Sequence, residues 1–248
     1  MSYLNKEAET TFFSRQKEII RRLGISDPPC IVDVGGNIGQ SIDAYRALFP
    51  DSRIFTIEPL PDCFDTLVKR FGGHGHVHLE QMALADSTGI RPFYSTRCRT
   101  ASSLLLPDET VREKSLKGNY DFDTIQIKVD TLDNFCTRHR IELIDVLKID
   151  VQGAEISVLK GAEKLLKQNS VRMIYLEVIF ADNYQGQSGF IPITEYLDHF
   201  GYVLWDVRPF LFTRAGRLWT ANAIFTSRPS TDHLEGFPDE FPWEQGGD

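Results

Sequence analysis

Apolar positions along this chain alternate between two rhythms, one of period near 3.6 and one of short continuous runs. Residues 4–24 carry Leu4, Phe12, Phe13, Ile19, Ile20 and Leu23 at helical spacing and stop at Gly24. The run 31–34 is apolar but for Asp33, a glycine-rich turn follows, and Ile38, Ile42, Tyr45 and Phe49 then mark one helix face before Pro50. That order describes a buried parallel strand feeding a turn and a helix. The unit recurs. Run 53–58 leads to a helix opened by Pro61, bearing Phe64, Leu67, Val68 and Phe71 and ended by Gly72-Gly73. A third strand is expected over 77–84, with a turn at 86–89. Further on, strand 144–150 precedes a helix over 153–168, strand 173–178 follows, and a helix over 192–200 ends at Gly201. Runs 202–207 and 221–226 read as a closing antiparallel pair. Alternation of this kind predicts an α/β fold with a doubly wound, mostly parallel sheet and helices on both faces.

Two more extended runs, 90–94 and 124–129, flank a polar segment over 95–123. Connections this long carry function or lie outside a compact core. A flap over a substrate and an ordinary excursion both fit. The chain divides into a helical lead-in over 1–29, a main domain over 30–226, and a tail over 227–248 rich in Pro, Gly and acids, with Phe237, Phe241 and Trp243 interspersed.

At 248 residues and 42% hydrophobic content the chain suits one α/β domain with a large core. A net charge of −8 leaves no basic surplus to displace counterions, so nucleic acid is not an expected partner. The N-terminus lacks a signal-peptide layout and no apolar run spans a bilayer, so no membrane insertion is expected. Cys30, Cys63, Cys98 and Cys136 are scattered and form no Cys-x-x-Cys pair, which fits a reducing, cytoplasmic location.

The turn carries the chemistry. It reads Asp33-x-Gly35-Gly36-Asn37-x-Gly39. Glycine lets backbone N–H groups approach a ligand closely, and Asn tolerates the left-handed region. Glu58 ends the next strand nineteen residues beyond Gly39, about where a nucleotide fold places its ribose-binding acid. A carboxylate at Asp33 would repel a pyrophosphate and attract an ammonium group. S-adenosylmethionine carries an amino group, a sulfonium and a ribose, and no phosphate. It is therefore expected over NAD or FAD, and a P-loop is excluded because no Gly-Lys-Ser/Thr follows. A strand-turn-helix that merely needs its glycines is the plainer alternative.

Taken together, 33–40, Ile57-Glu58-Pro59, the run Leu147-Lys-Ile-Asp-Val-Gln-Gly-Ala-Glu155 and Leu159-Lys-Gly-Ala162 resemble the FkbM family of S-adenosylmethionine-dependent methyltransferases. The resemblance runs from about residue 30 to about residue 225. It implies a Rossmann-like class I methyltransferase fold, with a seven-stranded sheet and an extra strand pair or flap. The implied activity is O-methylation of a hydroxyl on a sugar, a glycan or a small secondary metabolite. Gly36 stands where the family often has alanine, which should loosen the turn slightly.

In an open parallel sheet, ligands lie outside the carboxyl ends of the strands. Asp33, Glu58, Asp150 and Glu177 all fall at such ends, and an unpaired buried carboxylate is costly. Gly35, Gly36, Asn37 and Gly39 are expected to cradle the methionine part of the cofactor, Asp33 to contact its amino group directly or through water, Glu58 to accept from both ribose hydroxyls, and Met82 and Ala83 to border the adenine. Asp86 is a turn residue or an adenine contact. A hydroxyl acceptor must lose its proton. Asp150 is the first candidate for that base and Glu177 the second. Lys148, on the same strand face as Asp150, is expected to tune it or bind substrate.

No metal is expected. His74, His76 and His78 alternate but sit among glycines, and His139 and His199 read as surface residues. Ser102 and Ser103 are possible substrate contacts, and Arg97 and Arg99 read as solvated loop charge. A carbohydrate or small-molecule acceptor is the expected partner, with the oligomeric state open and a homodimer one form. A nicotinamide-dependent oxidoreductase and a non-catalytic S-adenosylmethionine-binding module remain as alternatives.

Overall fold

Alternating burial of successive strand residues decides which helices cover which face of the sheet. In the computed structural model, residues 6–25 and 27–231 are described. Expectations for Leu4 and for the tail aromatics Phe237, Phe241 and Trp243 lie outside them. The elements are α1 (Lys6–Arg22), β1 (Cys30–Val34), α2 (Gln40–Leu48), β2 (Arg53–Ile57), α3 (Pro61–Phe71), β3 (Val77–Glu80), β4 (Ala83–Leu84), β5 (Gly89–Thr96), α4 (Glu109–Lys114), β6 (Phe122–Asp130), α5 (Leu132–His139), β7 (Ile144–Ile149), α6 (Glu155–Lys160), α7 (Glu163–Lys167), β8 (Val171–Ile179), α8 (Phe190–His199), β9 (Tyr202–Phe212), β10 (Leu218–Ser227) and α9 (Arg228–Thr231).

The main sheet has seven strands in the order β3-β2-β1-β7-β8-β10-β9. All pairs are parallel except those made by β10, which runs against β8 and β9. Strand order reverses between β1 and β7, the place where open α/β sheets bind ligands. Ile31, Ile54, Val146 and Met173 face one side, against Ile19 and Ile20 of α1, Ile42 of α2 and Leu67 of α3. Val32, Phe55, Leu147 and Ile174 face the other, against Phe135 of α5, Val158 of α6, Leu166 of α7 and Leu197 of α8. The Rossmann-like class with helices on both faces is thus the observed fold. Among the described residues no helix is long and apolar enough to cross a membrane.

Several expected elements differ in detail. The run 77–84 divides between two sheets: β3 pairs β2, while β4 joins β6 and β5 in a separate three-stranded sheet. The β3 half is amphipathic, with Val77 buried and His78 exposed, whereas Ala83 and Leu84 of β4 are both buried, and neither pattern names the sheet that the strand joins. The helix over 153–168 is two, broken at Gly161-Ala162. Gly161 packs so closely on Ala85 that a Cβ there would lie 2.1 Å from the Ala85 carbonyl oxygen. The helix expected over 192–200 begins at Phe190. Pro192 is therefore its third residue, where no intrahelical N–H is needed. Ile38 lies in the turn, 40% exposed, and not on the face of α2.

Candidate functional site

A cavity of about 520 Å³ opens at the carboxyl ends of β1, β2, β7 and β8. Its floor is the glycine turn, and each glycine there is demanded by space. A Cβ on Gly35 would lie 1.9 Å from the carbonyl oxygen of Asp150, and one on Gly39 would lie 2.3 Å from the Phe71 ring. Both glycines have φ in the left-handed region, as does Asn37 at 47°. A Cβ on Gly36 would lie 2.1 Å from Cγ2 of Thr56. Glycine at this position is therefore a packing requirement, and the expectation that it merely loosens the turn is corrected.

Glu58 leaves β2 into this cavity wall. Its Oε2 accepts from the Asn37 backbone N–H at 2.8 Å, and its Oε1 accepts from that of Leu60 at 2.9 Å. Burial pushes its carboxyl up to about 7 despite those donors. The two bonds fix the carboxylate beside the turn. Met82 and Ala83 line the same cavity.

Asp33 corrects an expectation. It is fully buried and absent from the cavity wall. In register across the sheet it faces Thr56 on one side and Lys148 on the other. Its Oδ2 accepts from Ser41 Oγ at 2.6 Å, and its Oδ1 is ion-paired with Lys148 Nζ at 3.0 Å. Asp33 is therefore not placed to touch an amino group directly, which leaves a contact through water, and its charge is paired with that of Lys148. Lys148 also reaches the Gly35 carbonyl at 3.3 Å and Asp150 Oδ2 at 3.8 Å. Burial works against its charge, but Asp33, Asp150 and Glu177 outweigh it and hold the ammonium above the usual lysine value. Lys148 is thus first a partner of Asp33, and more distantly of Asp150.

At the other end of the cavity stand Asp150 and Glu177, one on each side of Gln152. The Gln152 Nε2 donates to Asp150 Oδ1 at 2.9 Å and to Glu177 Oε2 at 2.8 Å. Burial, then the charges of Asp150 and Glu155, push Glu177 up to about 8. Glu155 is buried behind the loop and accepts from the N–H groups of Val151 and Gly153, at 3.3 and 3.1 Å. Tyr120, Asn183, Trp219 and Asn222 complete this end. Asn183 links two of them, accepting from Trp219 Nε1 at 3.2 Å and donating to Tyr120 Oη at 3.3 Å.

The polar segment over 95–123 supplies one wall through Cys98 to Ser102, Leu104, Asn119 and Tyr120. It is docked, not free. Tyr184 Oη donates to the Ala101 carbonyl at 2.8 Å, and Ser103 Oγ donates to that of Gln152 at 2.8 Å. Arg99 Nε pairs with Asp62 at 2.7 Å. Ser102 and Arg99 therefore border the cavity, while Ser103 serves the loop and Arg97 bonds the Lys117 carbonyl of its own segment. Asp86 is a turn residue paired with Arg91 at 2.5 Å and does not line the cavity. His139 is not a free surface residue. It pairs with Glu80 and packs on Phe135 at 4.4 Å between ring centroids. His74, His76 and His78 are exposed, and among the described residues no group of three or more His, Cys, Asp or Glu is arranged around a common point for a metal ion.

Sequence reasoning overlooked Gln152, Tyr184, Asn183, Trp219 and Asn222. Gln152 lies inside the motif 147–155 and could have been picked out there. The others come from strand pairing and loop packing that carry no local signal.

The family model described as "Methyltransferase FkbM domain" matches residues 33–204, from the strand that holds Asp33 to the start of β9. The chain belongs to the FkbM methyltransferase family. This FkbM protein is 28% identical over 194 residues to 2-O-methyltransferase NoeI of Sinorhizobium fredii, covering 76% of this chain and 77% of that one. It is also 28% identical over 177 residues to 31-O-demethyl-FK506 methyltransferase FkbM of Streptomyces tacrolimicus, covering 63% and 68%. Among solved structures, magnesium protoporphyrin IX methyltransferase (ChlM) from Synechocystis aligns with a TM-score of 0.49 at 9% identity, over 92% of this FkbM chain and 85% of that chain. Membership removes the nicotinamide-dependent oxidoreductase alternative.

Proposed function

We propose that this protein transfers the methyl group of S-adenosylmethionine to a hydroxyl of an uncharged acceptor, a sugar or a small hydroxylated metabolite. The observation that carries the reading is the division of one cavity between a glycine cradle with Glu58 at one end and the Asp150–Gln152–Glu177 group at the other. The cradle fits a nucleoside that brings no phosphate: Glu58 offers two fixed acceptor oxygens where ribose hydroxyls would donate. Gly35, Gly36, Asn37 and Gly39 present backbone close to the ligand, Met82 and Ala83 offer apolar surface for the adenine, and Asp33 acts behind them by holding Lys148 and Ser41. The cofactor supplies a methyl group on a cationic sulfur leaving group. The protein's share is alignment and proton removal.

Two carboxyl groups line the acceptor end, and among the described residues there no cationic side chain is unpaired. Lys148 is held by Asp33, and Arg99 by Asp62. An anionic acceptor would therefore be repelled. Glu177 is better suited than Asp150 to take the hydroxyl proton, because burial and its neighbours raise its basicity into the working range of a general base. Asp150 is left to orient the acceptor. The names of two relatives, a 2-O-methyltransferase and a 31-O-demethyl-FK506 methyltransferase, support a hydroxyl as the target.

Calorimetry with S-adenosylhomocysteine and with NAD tests the cofactor. The former should bind, and Glu58→Gln should weaken it about tenfold or more, the worth of a charge-assisted hydrogen bond. Binding of NAD alone would refute the reading. Radiolabelled S-adenosylmethionine offered with neutral glycosides and with sugar phosphates tests the acceptor: label should enter the neutral set and be lost in Glu177→Gln.

A further inference from the structure

The carboxylates of Asp150 and Glu177 come from different strands, yet a single amide group stands between them. The Gln152 side chain has two N–H bonds, and one goes to each carboxylate, at 2.9 and 2.8 Å. When both carboxyl groups are ionised they are acceptors only, and the amide must present its nitrogen to them. Its Oε1 lies 3.3 Å from the hydroxyl of Tyr184, whose single proton is shared with the nearer Ala101 carbonyl, 2.8 Å away in the cavity wall. The backbone is committed too. Gln152 has φ 55°, a left-handed conformation that costs a non-glycine residue about 1–2 kcal/mol. Its carbonyl accepts from Ser103 at 2.8 Å, and Glu155 ties the N–H groups of Val151 and Gly153 on either side. Strain of this sort persists where surrounding contacts over-determine it, and such places are often functional.

We propose that Gln152 is a positioning residue for methyl transfer: its amide clamps Asp150 and Glu177 side by side and lets Glu177 release its proton, while Tyr184 couples that clamp to the wall formed by residues 98–104. This rests on the reading that Glu177 receives the acceptor proton. An N–H donor stabilises the ionised carboxylate. Without it, Glu177 faces the charge of Asp150 and Glu155 with less compensation. The other charged or titratable groups around it are Lys148 on β7, Tyr120 in the wall and Tyr184 in the loop before α8. Lys148 is already committed to Asp33 and cannot replace the amide.

Carbon-13 NMR of the full chain, labelled at glutamate carboxyl carbons, reads this without an acceptor. The Glu177 signal is assigned by its loss in Glu177→Gln, and its midpoint is expected near 8. Gln152→Leu removes the donor and should raise that midpoint by about one unit, leaving about tenfold less ionised Glu177 at any pH below both midpoints. Gln152→Glu replaces the donor with a third carboxylate at nearly the same volume and should raise it at least as far. The Glu155 signal reports whether the loop is intact and should stay near 7 in both variants. A Glu177 midpoint unmoved in either variant, with Glu155 in place, overturns the proposal. Displacement of Glu155 in both variants overturns it as well, because Gln152 would then hold the loop rather than the pair. Binding of S-adenosylhomocysteine to wild type is measured alongside. Its absence would refute the function proposed above and leave the titration result standing on its own.

Discussion

Gly36→Ala places a single methyl group where the sheet leaves no room for it. The added Cβ would lie 2.1 Å from Cγ2 of Thr56 and 3.5 Å from Oδ2 of Asp33. Thr56 is fully buried on β2, directly across from Asp33. Gly36 is not among the glycines with left-handed φ, so alanine's backbone is acceptable and the contact with Thr56 carries the cost. Overpacking of one methyl costs about 1–3 kcal/mol. Fewer unfolded conformations return about 0.4–1 kcal/mol. A net loss centred on about 1 kcal/mol and reaching about 2.6 kcal/mol follows, which at this chain length lowers Tm by up to about 10 °C. Thr56→Ser deletes the offending methyl and keeps the hydroxyl near Asp33. Alone it costs about 1 kcal/mol for one buried methyl lost. In the double variant the new Cβ fills the space that Cγ2 vacated, so the two changes should couple favourably by about 1–2 kcal/mol. Urea unfolding of wild type, both single variants and the double variant, followed by tryptophan fluorescence, gives the cycle. Losses that add to within about 0.3 kcal/mol would show that the two residues do not share space as described.

Further outcomes follow from the buried charges. Lys148→Met should destabilise by about 3–5 kcal/mol by leaving Asp33 unpaired, and adding Asp33→Asn should recover part of that in the same unfolding assay. Glu58, Glu155 and Glu177 hold protons more tightly folded than unfolded, with midpoints raised to about 7, about 7 and about 8. The native state therefore binds more protons than the unfolded chain between the ordinary glutamate range and those values. Stability should fall as pH rises through that window, and Glu177→Gln should flatten its upper part; a urea midpoint that rises from pH 5 to pH 8 would contradict this. Asp62→Asn, which frees Arg99 and the cavity wall from the ion pair while Arg99 keeps its bonds to Ser95 and the Thr96 carbonyl, should speed S-adenosylhomocysteine dissociation in stopped-flow displacement while changing Tm little, because an exposed ion pair is worth about 0–1 kcal/mol.

Local sequence carried the fold well where one signal had one meaning. The apolar runs ending at Asp33, Glu58 and Asp150 are parallel strands because both faces of each are covered. The glycines between Asp33 and Gln40 mark the turn because the backbone approaches Asp150 and Phe71 too closely for a side chain. It carried less where a strand's pattern does not name its partners, as in 77–84, whose halves belong to separate sheets. A neighbour's carbonyl, not any change in periodicity, separates α6 from α7 at Gly161.

Sequence by itself determined the strand-turn-helix cradle, the acids at the strand ends and the family to which the chain belongs, because each is written in contiguous residues and in backbone conformations that few residue types adopt. Tertiary structure alone decided what those acids face. Register pairs Asp33 with Lys148 and so turns it from a ligand contact into a buried counterion, while Glu58 is fixed by backbone N–H groups from two different loops. Folding of the 150–155 loop brings Gln152 between Asp150 and Glu177. Charge and hydrogen bonding act over a few ångströms in space, and Gln152 and Glu177 lie 25 residues apart along the chain.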